Sequence, residues 1–584
     1  MLRKWPFMRR ERSRSCPALD AEGVGLLATL VPGDSSPLLT AAAKKVRPQL
    51  RRVPLQVGAE APDMNSFSIF ESVPAESIND LKRLTNRDTR AKRAIGALVG
   101  MAVADAVGAN FEFLPVGQKG SKFDAKTLKV VGEYNRFHLK PGQWTDDTSM
   151  GLCLADSLLV RGHYDGTDVR VRFWNWWNRG YNNAFRRDTS RSKSIGLGGN
   201  IKMSLQAIED DKPPPRFETM GEDAGNGSLM RLAPVPIFFH DDTELAVELS
   251  MESSYTTHPG PTAAHACGFL GFLIARAIAR PPTQKESAAQ FIDRCVETYL
   301  ARPEAAKQDK LSRLLGSSEP HGSTERCWNW RDPTGPFLEE TIAARGAAYN
   351  GYPVSAGYFG SYSMDGLAIA LHSVYHTTSF MSALARCVNL LGDADSTGAI
   401  CGQIAGAFYG VDTIHKGLLE RLHKWDGGEI ELRACLLYAL GIARARRASN
   451  GDVDGKNSSG EGEAATATDV CLAPSTFSSL PLAPLLVRSK SLGDHSSEKS
   501  EPREASGSDP VERITQALVR GDSSKKSLQL ASLAVAAEAA RSIELGEQPL
   551  PKAWTQPIAL GEPHDDGRRN LTQRPARVVR MRLK

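Results

Sequence analysis

Long apolar runs, paired cysteines, strand signals and internal repeats are all scarce in this chain of 584 residues. No apolar run approaches the roughly 20 residues needed to span a bilayer, so no membrane partner is expected. The nine cysteines are scattered, odd in number and include no C-x-x-C pair, which argues against a zinc site or a disulfide framework. Cys153, Cys387, Cys401 and Cys435 fall inside apolar helical patterns and read as reduced core thiols of an intracellular protein. Charge is nearly balanced at +5, with 24% charged residues, so neither duplex nucleic acid nor a membrane surface is an expected partner. Strand signals are limited to Lys129–Val131 and Pro236–Phe239.

What the chain does have is helical periodicity, concentrated between about Arg90 and Arg447. Ile95, Leu98, Val99, Ala102, Val103 and Ala106 recur at helical spacing. The same pattern marks Met150–Leu159, Val169–Trp177, Leu245–Ser254, Thr262–Ile278, Ala288–Tyr299, Leu338–Ala348, Met364–Ser373, Phe380–Leu390, Gly398–Tyr409 and Glu431–Ala443. The expectation is an all-α domain over 90–447, helix packed on helix, with its polar motifs on glycine-rich loops. Residues 302–336 lack a period and read as a surface insertion. Residues 1–79 read as a disordered basic extension whose Arg-rich start is also compatible with mitochondrial targeting. Residues 448–509 have the Ser, Gly and acidic composition of a disordered linker, 510–546 suggest a helical hairpin, and 547–584 read as a basic tail.

Two acidic clusters almost 250 residues apart carry the chemistry: Trp144-Thr145-Asp146-Asp147-Thr148 and Gly392-Asp393-Ala394-Asp395-Ser396-Thr397. Each sets two carboxylates beside hydroxyls at the head of a helical segment. Taken singly, such residues also cap helices. Four carboxylates converging on one pocket repel one another unless cations neutralise them, and an all-oxygen ligand set suits Mg²⁺. Asp105, Gly108 and Glu112 follow at three- and four-residue steps, which places Asp105 and Glu112 on one face if that helix persists. The bland alternative is a solvated helix end. Gly402, Gly406 and Gly410 repeat at four-residue spacing, allowing close helix contact that would hold the preceding loop rigid.

Ser194–Asn200 and Gly225-Asn226-Gly227-Ser228 set small residues before apolar runs, where backbone N–H groups can cradle phosphate oxygens. Neither matches the P-loop or dinucleotide fingerprint, and each also reads as a simple turn. His258, in Thr256-Thr257-His258-Pro259, either contacts a ligand or holds backbone. Phe173, Trp174, Trp176, Trp177 and Tyr181 at helical spacing read as core.

Taken in order, Asp105–Glu112, Trp144–Thr148, Gly225–Arg231, Thr257-His258-Pro259 and Gly392–Ser396 leading into Gly402–Gly410 resemble the ADP-ribosylglycohydrolase family over some 60% of the chain. The resemblance implies a compact all-α bundle with glycine-rich active-site loops, two Mg²⁺ ions, and hydrolysis of the glycosidic bond between ADP-ribose and a protein side chain or small acceptor. It implies Thr145, Asp146, Asp147, Asp393, Asp395 and Ser396 as metal ligands, and Glu112 with Asp146 as catalytic residues. Asp105, Gly225, Asn226, Gly227, Ser228 and His258 are the expected substrate contacts. Ala104 and Asn110 stand where the family commonly has Gly and Pro, and Ser396 where it has Thr. Two rivals stay open on sequence alone: a non-catalytic ADP-ribose-binding or structural protein of the same fold, and a binuclear Mg²⁺ phosphoester hydrolase. The expected partner is an ADP-ribosylated protein or small ADP-ribose derivative, acted on by a monomer inside the cell, in the cytoplasm or mitochondria.

Overall fold

The computed structural model describes residues 36–450, apart from 54, 59–62, 220, 222–223, 347, 350–351 and 354–356. The described helices are α1 Ser36–Val46, α2 Ala75–Thr85, α3 Thr89–Gly108, α4 Asp146–Arg161, α5 Gly166–Arg179, α6 Gly199–Gln206, α7 Pro234–Phe238, α8 Thr243–Tyr255 and α9 Pro261–Ala279. They continue with α10 Ala288–Leu300, α11 Asp309–Gly316, α12 Leu338–Arg345, α13 Ser363–Tyr375, α14 Phe380–Val388, α15 Ala394–Tyr409, α16 Lys416–Asp426 and α17 Glu429–Asn450. Two antiparallel hairpins are the only described strand pairs: β1 Lys122–Asp124 with β2 Lys129–Val131, and β3 Ala348–Tyr349 with β4 Tyr352–Pro353. The all-α expectation holds, and the helical segments expected between 90 and 447 fall on helices, except that Leu338–Ala348 leaves its helix at Arg345 and ends in β3, and Phe380–Leu390 outlasts α14 by two residues.

The axis of the fold is the antiparallel pair α3 and α15. Asp88 caps α3 by accepting from the Arg90 and Ala91 N–H groups. Almost the whole surface of α3 is buried, the condition of a helix apolar all round. Its glycines make that possible. A Cβ at Gly402 would run into the Gly100 carbonyl, one at Gly406 into the Gly96 carbonyl, and one at Gly108 into the Ala394 backbone. Gly398 is a little looser, its Cβ position 3.1 Å from the Ala104 oxygen. Each step of four residues along α15 meets a step of four back along α3, so the two backbones touch. That contact carries the head of α15 to the tail of α3. Gly410, expected in the same stripe, instead ends α15 at φ +85°.

Several expectations change. Residues 36–79 are not wholly an extension. Leu39, Ala43 and Val46 on α1 are buried, as are Ile69, Phe70 and Val73, because a stripe of only three apolar residues suffices when a neighbouring helix covers it. Pro236–Phe238 lies within α7 and Phe239 in the turn after it, not in a strand; the short apolar run is buried on all sides, and periodicity alone cannot separate the two cases. Residues 302–336 are anchored rather than superficial. Leu311, Leu314 and Leu315 are buried, the Trp328 indole donates to Asp365, and the Trp330 indole donates to the Leu314 carbonyl. α9 is, by length and composition, apolar enough to cross a membrane, but 83% of that window is buried inside the fold as a core helix. The readings of residues 1–35 and 451–584 lie outside the described residues; α17 runs to Asn450.

Candidate metal centre

α3 ends at Gly108, so Glu112 does not share its face with Asp105; it arrives through the following turn. That turn is braced. Phe113, at φ +70°, donates its N–H to the Gly392 carbonyl (3.0 Å), and the Gly392 N–H returns to the Leu114 carbonyl (2.8 Å). Leu391 and Gly392 both hold positive φ, and a Cβ on Gly392 would strike the Phe359 carbonyl, so only glycine serves there. The Asp393 N–H then binds the Phe359 carbonyl (2.9 Å) and α15 begins. From the other side, α4 starts at Asp146 with Thr145 as its N-cap.

These elements form two carboxylate triplets. Oxygens of Asp105, Asp147 and Asp395 lie within 4.8 Å of one another, and so do those of Glu112, Asp393 and Asp395. Asp395 belongs to both. All five side chains are buried, Glu112 the most exposed at 8%. Capping does not account for the first cluster, because Thr145 makes no side-chain cap bond. The positive ends of α4 and α15 favour these anions, but by only about 0.3–1 kcal/mol each at an ordinary helix end.

Asp105 is the best served. It accepts from the Thr145 N–H (3.1 Å) and hydroxyl (2.9 Å) and from the Thr148 N–H (3.0 Å) and hydroxyl (2.6 Å). Even so, burial lifts its carboxyl to about 6. Burial, then the neighbouring carboxylates, push Glu112, Asp146, Asp147 and Asp395 well above the usual range. Glu112 Oε2 and Asp147 Oδ1 are buried without any hydrogen-bond partner. Among the described residues no Lys or Arg forms an ion pair with any member of the two triplets. An all-oxygen donor set with orphaned, mutually repelling carboxylates fits hard divalent cations.

The remaining expected residues fall around this core. Asp146 lies in neither triplet; its Oδ1 packs against Gly196, so close that a Cβ there would collide with it. The Thr145 hydroxyl sits 2.9 Å from both Asp105 Oδ1 and Asp147 Oδ2, leaving it lone pairs for a cation. Ser396 gives its N–H to Asp395 Oδ1 (2.9 Å), while its hydroxyl lies 3.6 Å from Met230 Sδ. Asp105, expected among the substrate contacts, stands inside a metal triplet.

The Gly225–Ser228 loop reaches the centre through Asn226, whose amide donates to Asp393 Oδ2 (2.7 Å) and the Gly360 carbonyl (3.0 Å). Gly225 pairs with Tyr362 across an isolated bridge. Gly227 packs against the edge of His258, whose Cε1 would lie 2.9 Å from a Cβ there. Ser228 turns inward, its oxygen accepting from the Ser254 hydroxyl (2.8 Å) and the Cys267 thiol (3.4 Å). His258 is buried beside Thr257.

Three contributors escaped sequence reasoning. Thr148 was visible in the cluster, but not its bond to Asp105. Tyr358, which hydrogen-bonds Asp393 and stacks on Phe113 (ring centroids 5.6 Å apart), sits 35 residues before its partner with no motif to mark it. Arg231 was read only as part of a loop. It is buried, donates to the Gly227 carbonyl (2.8 Å) and to the Thr256 (3.1 Å) and Thr257 (2.7 Å) hydroxyls, and lies over the Phe173 ring.

Comparison with known proteins follows the same stretch. The model of the ADP-ribosylglycohydrolase family matches residues 86–452. The chain is 29% identical over 330 residues to "ADP-ribosylarginine hydrolase Tri1" of Serratia proteamaculans (strain 568), covering 56% of this chain and 75% of that one. It is 28% identical over 348 residues to "ADP-ribosyl-[dinitrogen reductase] glycohydrolase" of Rhodospirillum rubrum, covering 60% and 96%. A zebrafish (Danio rerio) relative, "ADP-ribosylhydrolase ARH3", is 27% identical over 339 residues, covering 55% and 83%.

Proposed function

We propose that this chain, which belongs to the ADP-ribosylglycohydrolase family, releases ADP-ribose from a protein side chain or small acceptor at a centre holding two Mg²⁺ ions. Membership makes it a hydrolase of glycosyl bonds; the metal, its count and the residue roles are our own reading. The observation that carries the reading is the pair of buried carboxylate triplets sharing Asp395. Two triplets with a common member form the donor pattern of two adjacent sites, and cations bound there would relieve the repulsion within the cluster. Asp105, Asp147 and Asp395, with the Thr145 hydroxyl, would hold one ion; Glu112, Asp393 and Asp395, with Ser396, would hold or adjoin the other.

Divalent cations there supply Lewis-acid stabilisation of oxygen ligands and cancel the charge of the carboxylates. The rest is done by the chain. Cleavage at the anomeric carbon of ribose builds oxocarbenium-like charge and requires protonation of the leaving group. Glu112, whose Oε2 has no hydrogen-bond partner, would take the proton of the attacking water. Asp146 faces Gly196 of the Ser194–Asn200 loop and would orient the substrate or that water. Asn226 ties the glycine-rich loop to Asp393, so the wall offered to the diphosphate is registered on the reacting end. Tyr358 and Phe113 brace Asp393 and Glu112 from outside.

An intracellular site of action is part of the same proposal, supported by seven described cysteines that are all buried free thiols. The test is hydrolysis of a panel of ADP-ribosylated arginine, ADP-ribosylated serine and small ADP-ribose derivatives, with Mg²⁺ and then with EDTA. Free ADP-ribose as product supports the reading, and the panel assigns the acceptor. Undiminished turnover in EDTA excludes the metal centre. Inorganic phosphate as product replaces the glycosidase with a phosphoester hydrolase, and tight binding of ADP-ribose without turnover replaces it with a binding protein.

A further inference from the structure

Arg231, Thr257 and His258 form a chain of three hydrogen-bonding groups whose directions are forced. The guanidinium can only donate, so at 2.7 Å the Thr257 oxygen accepts from Arg231 Nη2. Thr257 is buried, and among the described residues its oxygen has one other partner, His258 Nδ1 at 2.7 Å. The hydroxyl proton therefore has one acceptor in reach, the Nδ1 lone pair. Were Nδ1 protonated instead, two donors would face one oxygen and the hydroxyl proton would be stranded in a dry pocket. The neighbouring Thr256 shows the same logic: it accepts from Arg231 and passes its own proton to the Ser253 carbonyl at 2.7 Å.

A neutral imidazole that accepts at Nδ1 carries its proton on Nε2. His258 is only 1% exposed, yet its Nε2 makes no hydrogen bond to any described residue. It lies against Gly227, 3.2 Å from where a Cβ would stand, on the loop that Asn226 ties to Asp393. Arg231 also pins that loop from behind through the Gly227 carbonyl. One cation thus sets both the wall of the cleft and the direction of the histidine in it. Burial, then the Arg231 charge, pull the imidazole down to about 3, consistent with a neutral ring. Arg231 itself is lowered to about 10 by burial and stays charged at neutral pH.

We infer that Arg231 and Thr257 are positioning residues that lock His258 as the Nε2–H tautomer, a fixed neutral donor beside Gly227 available to an acceptor oxygen of ADP-ribose. The ligand class rests on the function proposed above; the tautomer does not. The test is the ¹⁵N spectrum of histidine-labelled full-length protein, with the His258 signal assigned by its loss in His258→Gln, together with calorimetric binding of ADP-ribose. The wild type should show the proton on Nε2. Thr257→Val should mix the tautomers, weaken ADP-ribose binding on the order of tenfold, and raise KM more than it lowers kcat. Thr257→Ser should restore all three, which a merely structural methyl contact would not do. A wild-type His258 protonated on Nδ1, or a tautomer unmoved in Thr257→Val, overturns the inference even if the enzyme is active. The expected tautomer with no binding of ADP-ribose overturns the ligand assignment and the proposed function, and leaves the relay standing.

Discussion

α4 buries carboxylates at its head and in its interior and treats them in opposite ways. Asp156, deep in the helix and fully buried, accepts two bonds from Arg433 (2.7 and 3.2 Å) and one from the Asn182 amide (2.9 Å). The Tyr181 hydroxyl completes the set and is itself held by Arg172. Charge is balanced inside the protein, as it is again at Asp365, paired with Arg345. Nine residues earlier, Asp147 has one oxygen with no partner at all and shares its pocket with Asp105 and Asp395. The fold can plainly supply a buried arginine to a buried aspartate. At the acidic centre it does not, and that contrast separates carboxylates that hold the structure from carboxylates kept for something outside it.

Substitutions should split along that line. Glu112→Gln should cost about 10²–10⁴-fold in kcat, the range for losing a general base or acid, with little change in unfolding midpoint; a loss below tenfold would remove Glu112 from the proton transfer. Arg433→Leu should do the reverse. It strands Asp156 and should destabilise by about 3–5 kcal/mol, read by urea unfolding, while any protein that still folds keeps its KM. Loss of activity without loss of stability in Arg433→Leu would erase the contrast.

The metal-free centre should also be sensitive to pH. Burial raises Asp105 to about 6 and also pushes Glu112, Asp146, Asp147 and Asp395 well above the usual carboxylate range, so the folded state binds more protons than the unfolded chain. Stability of the metal-free protein should therefore fall as pH rises from about 4 through 6 and beyond. Saturating Mg²⁺ should cancel the fall. At a hundred times Kd the ion adds about 2.7 kcal/mol, and the gain in Tm should be larger at pH 8 than at pH 5. An equal gain at both, or none, would place the cations elsewhere. Smallest and most graded is the helix contact behind the site. Gly406→Ala should cost about 1–3 kcal/mol as overpacking and reduce kcat by displacing Asp395. Gly398→Ala, where a Cβ has 3.1 Å, should cost visibly less by the same measurements.

Much of this was legible beforehand. Helical periods located most core helices, though not α2, α11 or α16, and both acidic clusters read as oxygen ligands for hard cations. The misreadings share a cause. α1 carries an apolar stripe too short to register; α7 is too short for its period to show; residues 302–336 dock through Trp328 and Trp330, which follow no period at all. Asp105 and Glu112 do reach the same centre, but not by the helical face that spacing suggested, because α3 stops at Gly108.

By itself the sequence determined which residues are costly to bury and which segments are helices, since side-chain chemistry and periodicity are local properties. Only the tertiary structure decided which carboxylates meet. That Asp395 serves two triplets, that Asp156 has an arginine and Asp147 has none, and that Tyr358, Thr148 and Arg231 stand behind the centre depend on contacts between distant parts of the chain. Those distances are set by the backbone contact of α3 with α15, where the absence of side chains at Gly96, Gly100, Gly402 and Gly406 lets two helices close on one another and bring their ends together.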